Sequence, residues 1–238
     1  MVNLQTLDIS RCEGVSDLVP LAAMVNLQSL DVTYSRAVSD LAPLSTMVKL
    51  QSLKMRGRKA VSDLVPLAAT LNLQSLNMGC CIAVSNLAPL AATVNLQRLD
   101  MSVCEAVSDL ATLTALVDLQ YLNLSFTAVS NLVPLTAMVN LQNLEMSGYV
   151  GVRDLAPLAA LVNLQTLDVS KFIAVSDLAP LTAMVNLQSL LMSGCIGVRD
   201  LAPLAAVVNV QTLDMRHCTS VCDPTPLEGM ANLKNLTL

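Results

Sequence analysis

One pattern of 23 residues repeats along the whole chain. Units begin at positions 2, 25, 48, 71, 94, 117, 139, 162, 185 and 208, and a partial unit follows at 231–238. Nine units have 23 residues and the sixth has 22, so these units, Met1 and the eight-residue partial unit account for all 238 residues. No length remains for a second domain, and the sequence predicts a single repeat domain over 1–238.

The spacing of apolar residues differs between the two halves of each unit. In the first half, Leu4, Leu7 and Ile9 give the spacing L-x-x-L-x-L, which predicts a short strand with one buried face. In the second half, over 15–24, an apolar residue recurs every three positions, which predicts a tight helical or 3₁₀ turn. Asp17 can accept hydrogen bonds from the free N–H groups of this turn. Pro20 lies in the first turn, where its missing N–H costs least.

The pattern L-x-x-L-x-L-x-x-C/N with a 23-residue period resembles that of leucine-rich repeat proteins, and it covers the whole chain. The segment V-S-D-L-A-P-L resembles the internalin-like and phosphatase-1-regulator-like classes, whereas Cys followed by two residues and Val resembles trypanosomatid leucine-rich repeat proteins. The resemblance implies an α/β solenoid. Its curved parallel β-sheet would form the concave face, with short helical or 3₁₀ turns on the convex face, and the concave face would be a binding surface.

Composition excludes several other classes of protein. The chain is 54% hydrophobic and 13% charged, which excludes an intrinsically disordered protein. Its longest uninterrupted apolar runs have eight residues. A membrane-spanning helix needs about 20 apolar residues, so no membrane insertion is expected. A net charge of -5 disfavours a general nucleic-acid binder, and no nucleic-acid partner is expected.

Cysteine positions favour a structural role over chemistry. Five of the seven cysteines share the eleventh position of their unit, namely Cys12, Cys81, Cys104, Cys195 and Cys218. We expect these side chains to point inward as free thiols and to hydrogen-bond loop backbone, in a reducing, cytoplasmic compartment. A fragment of a surface or secreted protein is the alternative. The sequence contains no metal-ligand spacing and no catalytic motif, so no metal, no cofactor and no enzymatic activity are expected.

The positions that vary between units are the candidates for partner binding. Position five and positions seven to twelve vary, and all five aromatic residues lie among them. Tyr34, Tyr121 and Phe126 are candidate contacts because exposed aromatic residues are favoured as interface anchors. Tyr149 and Phe172 replace the usual Cys at position eleven, which favours packing beneath the loop.

Charged residues form two further patterns. Position seven is acidic in six of ten units, which either keeps a strand-rich face from pairing with other strands or attracts a basic partner. The third unit instead contains five basic residues opposed only by Asp63, giving it a charge of +4 while the remainder carries -9. This basic unit is either solvated surface or a site for an acidic protein segment.

We therefore predict a non-catalytic scaffold that binds a protein partner on its sheet and the adjoining loops. The predicted partner-binding residues are Tyr34, Arg36, Lys54, Arg56, Arg58, Lys59, Arg98, Tyr121 and Phe126. One alternative is the recognition arm of a larger surface receptor or ubiquitin-ligase protein. The other is a structural or idealised repeat protein without an evolved partner.

Overall fold

The computed structural model describes residues 3–35, 37–148 and 151–238. Arg36 and Tyr149 lie outside these ranges. Within them the chain forms one parallel sheet of eleven strands in sequential order, with a 3₁₀ helix after each of the first ten. The strands are β1 (Thr6–Asp8), β2 (Ser29–Asp31), β3 (Ser52–Lys54), β4 (Ser75–Asn77), β5 (Arg98–Asp100), β6 (Tyr121–Asn123), β7 (Asn143–Glu145), β8 (Thr166–Asp168), β9 (Ser189–Leu191), β10 (Thr212–Asp214) and β11 (Asn235–Thr237). The 3₁₀ helices are η1 (Val19–Ala23), η2 (Ala42–Thr46), η3 (Val65–Ala69), η4 (Ala88–Ala92), η5 (Ala111–Ala115), η6 (Val133–Ala137), η7 (Ala156–Ala160), η8 (Ala179–Ala183), η9 (Ala202–Ala206) and η10 (Thr225–Gly229).

Each strand has three residues, and in β2 to β10 the central leucine is buried; Asn123 of β6 is buried as well. Leu53 pairs with Leu76, and Leu76 with Leu99, so the leucines form an unbroken row across the sheet. All three are buried, whereas the flanking residues are more exposed on the opposite face. The predicted strand with one buried face is confirmed.

The 3₁₀ helices close the opposite side of the core. An Asp or Asn two positions before each helix accepts the N–H of its first residue: Asp17 Oδ1 accepts the N–H of Val19 at 2.7 Å, and Asp223 Oδ1 accepts that of Thr225 at 2.9 Å. Pro20 lies at the start of η1, as its unit position predicted. Met55 and Met78, two of the methionines of the repeat, are fully buried and belong to the hydrophobic core.

A turn with left-handed backbone follows each of the first ten strands. The tenth residue of all ten units has positive φ, from 58° at Tyr34 to 89° at Gly148. The acidic position seven supports this turn, since Asp8 Oδ1 accepts the N–H of Ser10 at 2.8 Å and Asp100 Oδ1 that of Ser102 at 2.9 Å. The row of aspartates thus has a local structural role in addition to its charge.

In the described part of the chain, no helix combines the length and apolar character needed to cross a bilayer.

Candidate binding surface

A shallow hollow of about 210 Å³ lies on the exposed face of the sheet between β3 and β6. It is lined by Lys54, Ser75, Leu76, Asn77, Arg98, Asp100 and Tyr121. Three of the predicted partner-binding residues, Lys54, Arg98 and Tyr121, therefore meet at one place. They do so because each occupies position five or seven of a strand, and adjacent strands present these positions side by side.

Tyr121 is the centre of a cluster that spans three strands. The Arg98 guanidinium carbon lies 4.4 Å from the centroid of the Tyr121 ring, a cation–π contact. The Tyr121 hydroxyl donates to Glu145 Oε1 at 3.1 Å, and Asn123 Nδ2 donates to Glu145 Oε2 at 2.7 Å. These four residues, Arg98, Tyr121, Asn123 and Glu145, are called the Tyr121 cluster below. The cluster fixes its aromatic ring before any partner arrives.

Partial burial alters the ionisation of this cluster. Burial raises the pKa of Tyr121 to about 12, and the neighbouring Glu145 and Asp100 carboxylates act in the same direction. Burial also raises the pKa of Glu145, again reinforced by the charges of Asp100 and Asp168. Since the Tyr121 hydroxyl stays protonated at neutral pH, it can keep donating its hydrogen bond to Glu145.

Phe126 lies at the carboxyl edge of the sheet, next to the Tyr121 cluster. Its side chain is 47% exposed although its backbone has a φ of 58°, a conformation that few large residues adopt. The ring lies over Gly148, where a Cβ would collide with it. Lys171 Nζ lies 5.9 Å from the ring centroid. Nothing in the core requires an exposed aromatic residue here.

Arg56 and Tyr34 form a second group at the same edge. Arg56 Nη1 donates to Ser102 Oγ at 3.1 Å and lies 3.7 Å from Asp100 Oδ2, so the side chain crosses the fourth unit to reach the fifth. Gly79 gives it room, because a Cβ there would meet the guanidinium. A hydrogen bond with the Tyr34 side chain raises the pKa of Arg56. The Tyr34 ring in turn lies over Gly57.

Two basic side chains of the third unit form ion pairs with carboxylates of other units. Lys54 Nζ lies 3.7 Å from Asp31 on β2, and Arg56 pairs with Asp100 on β5. The second and fifth units therefore supply counter-charges in addition to Asp63, the one acidic residue within the third unit. Lys54 nevertheless remains 59% exposed, and Lys59 is exposed on the loop.

Arg58 is not on the surface, contrary to the expectation that it lies on an exposed loop. Its side chain is fully buried, with Nη1 donating to Val38 O and Nη2 to Val32 O, both at 2.9 Å. Nε has no hydrogen-bond partner, and burial lowers the pKa of Arg58 to about 10. The reason is its position: Arg58 is the eleventh residue of its unit, where other units place an inward-pointing Cys. The repeat register would have shown this, and Arg58 is removed from the candidate surface.

The cysteine at position eleven behaves as predicted in four units. Cys81, Cys104, Cys195 and Cys218 are buried, and each thiol lies 3.1–3.4 Å from a backbone carbonyl oxygen of the preceding unit. Cys12, in the first unit, is an exception, since its side chain is exposed. Phe172 is fully buried at the same position, as predicted. Within the described ranges, no three His, Cys, Asp or Glu side chains form a metal-binding group.

Sequence reasoning missed the residues that hold the aromatic and basic side chains in place. Glu145 and Asn123 orient Tyr121, and Asp100 contributes to both the hollow and the Arg56 ion pair. The repeat period could have identified them, because residues 22 or 23 positions apart lie side by side on adjacent strands.

Solved structures of two internalins from Listeria monocytogenes str. 4b F2365 are similar to this chain. Internalin inlF superposes with a TM-score of 0.87 at 26% identity, over 99% of this chain and 67% of that one. Internalin C2 (inlC2) superposes with a TM-score of 0.70 at 26% identity, over 79% and 80%. The leucine-rich repeat domain of the type III effector XCV3220 (XopL) shares the fold at 16% identity, with a TM-score of 0.71 over 93% and 79%. No protein-family model and no curated protein matches the sequence. The fold is the leucine-rich repeat solenoid that the repeat pattern implied.

Proposed function

We propose that this protein is a non-catalytic scaffold that binds another protein on the exposed face of its sheet, centred on the Tyr121 cluster. Neighbours of this fold suggest a protein-interaction scaffold in general, and leucine-rich repeat domains are typically interaction domains without catalysis. The single observation that carries the proposal is the Tyr121 cluster beside exposed Phe126. It combines an oriented aromatic ring, an arginine and a half-exposed apolar ring within neighbouring strands.

These residue types are those that dominate binding energy at protein interfaces. Tyr and Arg are enriched among the few interface side chains whose truncation to alanine costs about 2 kcal/mol or more of binding free energy. Since Glu145 and Arg98 already hold Tyr121, little side-chain entropy is lost when a partner covers it. Preorganisation of this kind favours a binding role over a chance surface arrangement.

The proposed surface extends from Phe126 across the hollow to Lys54. Tyr34 and Arg56 flank it at the carboxyl edge of the sheet, and Lys59 stands on the neighbouring loop. We propose that the partner segment over β3 carries acidic side chains, because Lys54 and Lys59 are exposed cations there. Arg56 already forms an ion pair with Asp100, so we include it because it lies beside the surface rather than as a free cation. Arg36 belongs to the proposed set by sequence alone.

The proposal is tested by capture of binding proteins from the source cell with matched variants. Tyr121→Ser and Phe126→Ser remove the two anchors without touching buried leucines. Val133→Ser removes an apolar side chain that is 59% exposed, more than that of Phe126, from η6 on the opposite face. The proposal predicts that a protein captured by the wild type and by Val133→Ser is lost with the two anchor variants. Equal capture by all four proteins, each with unchanged circular dichroism, would overturn it.

A further inference from the structure

A second surface runs along the opposite edge of the sheet, where the strands begin. It is a groove of about 520 Å³ across the fifth to ninth units. Its lining is Gln97, Asp118, Gln120, Asn140, Gln142, Asn163, Gln165, Asn186 and Gln188. Eight of these nine side chains are amides, and Asp118 is the one ionised group among them. The groove shares no residue with the hollow described above.

The asparagines of this groove are held in one orientation. Asn163 Nδ2 donates to Val139 O at 2.9 Å, and Asn186 Nδ2 donates to Val162 O at 2.9 Å. Because the NH₂ group is directed to the preceding unit, each Oδ1 remains as an acceptor on successive rungs about 4.8 Å apart. The side chains of Gln142 and Gln165 make no hydrogen bond within the described part of the chain. The groove therefore offers a row of acceptor oxygens.

Two lysines of the chain show which donor suits these oxygens. Lys49 stands at the asparagine position of the third unit, and its Nζ donates to Asn26 Oδ1 at 2.7 Å. Lys234 stands at the glutamine position of the last partial unit, and its Nζ donates to Gln211 Oε1 at 3.2 Å. In both places an ammonium group docks on the amide oxygen of the preceding rung. The central stretch has the same amides and, with Asp118, a carboxylate in place of an asparagine.

We propose that the central amide groove binds a ligand that carries two or more primary ammonium groups. Asp118 pairs with one ammonium, and the Oδ1 and Oε1 atoms of the following rungs accept N–H bonds from the next. A polyamine and the lysine side chains of an extended peptide share this chemistry. The net charge of -5 adds a weak attraction that salt will screen. This site is independent of the proposed protein-binding surface.

Titration of the full chain with spermidine, and separately with an extended serine–lysine peptide, tests the proposal. Asn and Gln side-chain amide resonances and calorimetry report binding. Asp118→Asn restores the usual residue of this unit position and should weaken binding about fivefold, the loss of one ion pair near 4 Å in water. Asp109→Asn is the matched control: it removes the same charge but keeps a capping residue that Asn86 and Asn131 already provide elsewhere. It should bind as the wild type does.

Lys49→Asn gives an independent test by gain of binding. A separate hollow of about 270 Å³, lined by the corresponding positions Asn3, Gln5, Asn26, Gln28 and Lys49, lies near the first units. Removing the resident ammonium should allow the added ligand to shift the Asn26 and Gln28 amide resonances, which it leaves unmoved in the wild type. Binding of one ligand alone identifies the source as polyamine or peptide. Binding of neither, or equal weakening by Asp118→Asn and Asp109→Asn, would overturn the proposal.

Discussion

Replacing the buried arginine of the third unit should stabilise the protein, although Arg58 is among its largest buried side chains. Burial lowers the pKa of Arg58 from the usual 12.5 to about 10, which means that the folded state with a charged Arg58 is destabilised by about 3 kcal/mol. Arg58→Met keeps an unbranched stem of similar length and removes the charge and the unpartnered Nε. Val38 O then loses the donor at 2.9 Å, a cost of about 1–2 kcal/mol. Val32 O still accepts the N–H of Ser35.

Together these two effects should raise the free energy of unfolding of Arg58→Met by about 1–2 kcal/mol, within the range found when hydrophobic residues replace buried ions. Calorimetry at neutral pH should show a Tm higher by several degrees, at about 2–4 °C per kcal/mol for a chain of this length. Arg153→Met removes an exposed arginine and should leave Tm unchanged. If Arg58→Met lowered the Tm while the control did not, the two carbonyl contacts would outweigh the buried charge, and the reasoning would be refuted.

Three further predictions concern the repeat itself. Asp109→Ala should destabilise by about 1 kcal/mol in chemical unfolding because η5 loses its cap, whereas Ser108→Ala should have little effect; equal losses would contradict the capping role. Val103→Asn should stabilise by about 1 kcal/mol, since a β-branched residue at φ 60° is strained, and an unchanged unfolding midpoint would argue against that strain. In native thiol titration, exposed Cys12 should react early. Burial raises the pKa of Cys81 to about 11 and of Cys104 to about 12, so both should react only after unfolding; early modification of either would contradict this order.

The fold could be predicted from the sequence because each structural requirement recurs ten times. The buried leucines recur at a fixed spacing, and the Asp or Asn before each 3₁₀ helix recurs with the same period. Inward cysteines follow from the same register, and four of them lie where the pattern placed them.

The candidate surface was less predictable because it depends on contacts between units. Arg56 reaches Ser102, 46 residues away, across a glycine whose importance appears only when the two side chains are adjacent. Arg58 was misplaced for a different reason: a charged residue suggested the surface, whereas its repeat position required the core. In a solenoid the repeat position is the stronger guide, since the residue at position eleven is buried in seven of the nine units where the structure describes it.

Site-directed photo-crosslinking in the source cell tests most directly whether the exposed face of the sheet is the protein-binding surface. A photoreactive phenylalanine at Tyr121 lies on that face, and one at Val133 lies on η6 at the back. We predict a discrete crosslinked protein from position 121 that is absent from position 133 and is reduced by an excess of unmodified wild-type chain. Crosslinking to the same proteins from both positions, or a competed product only from position 133, would contradict it.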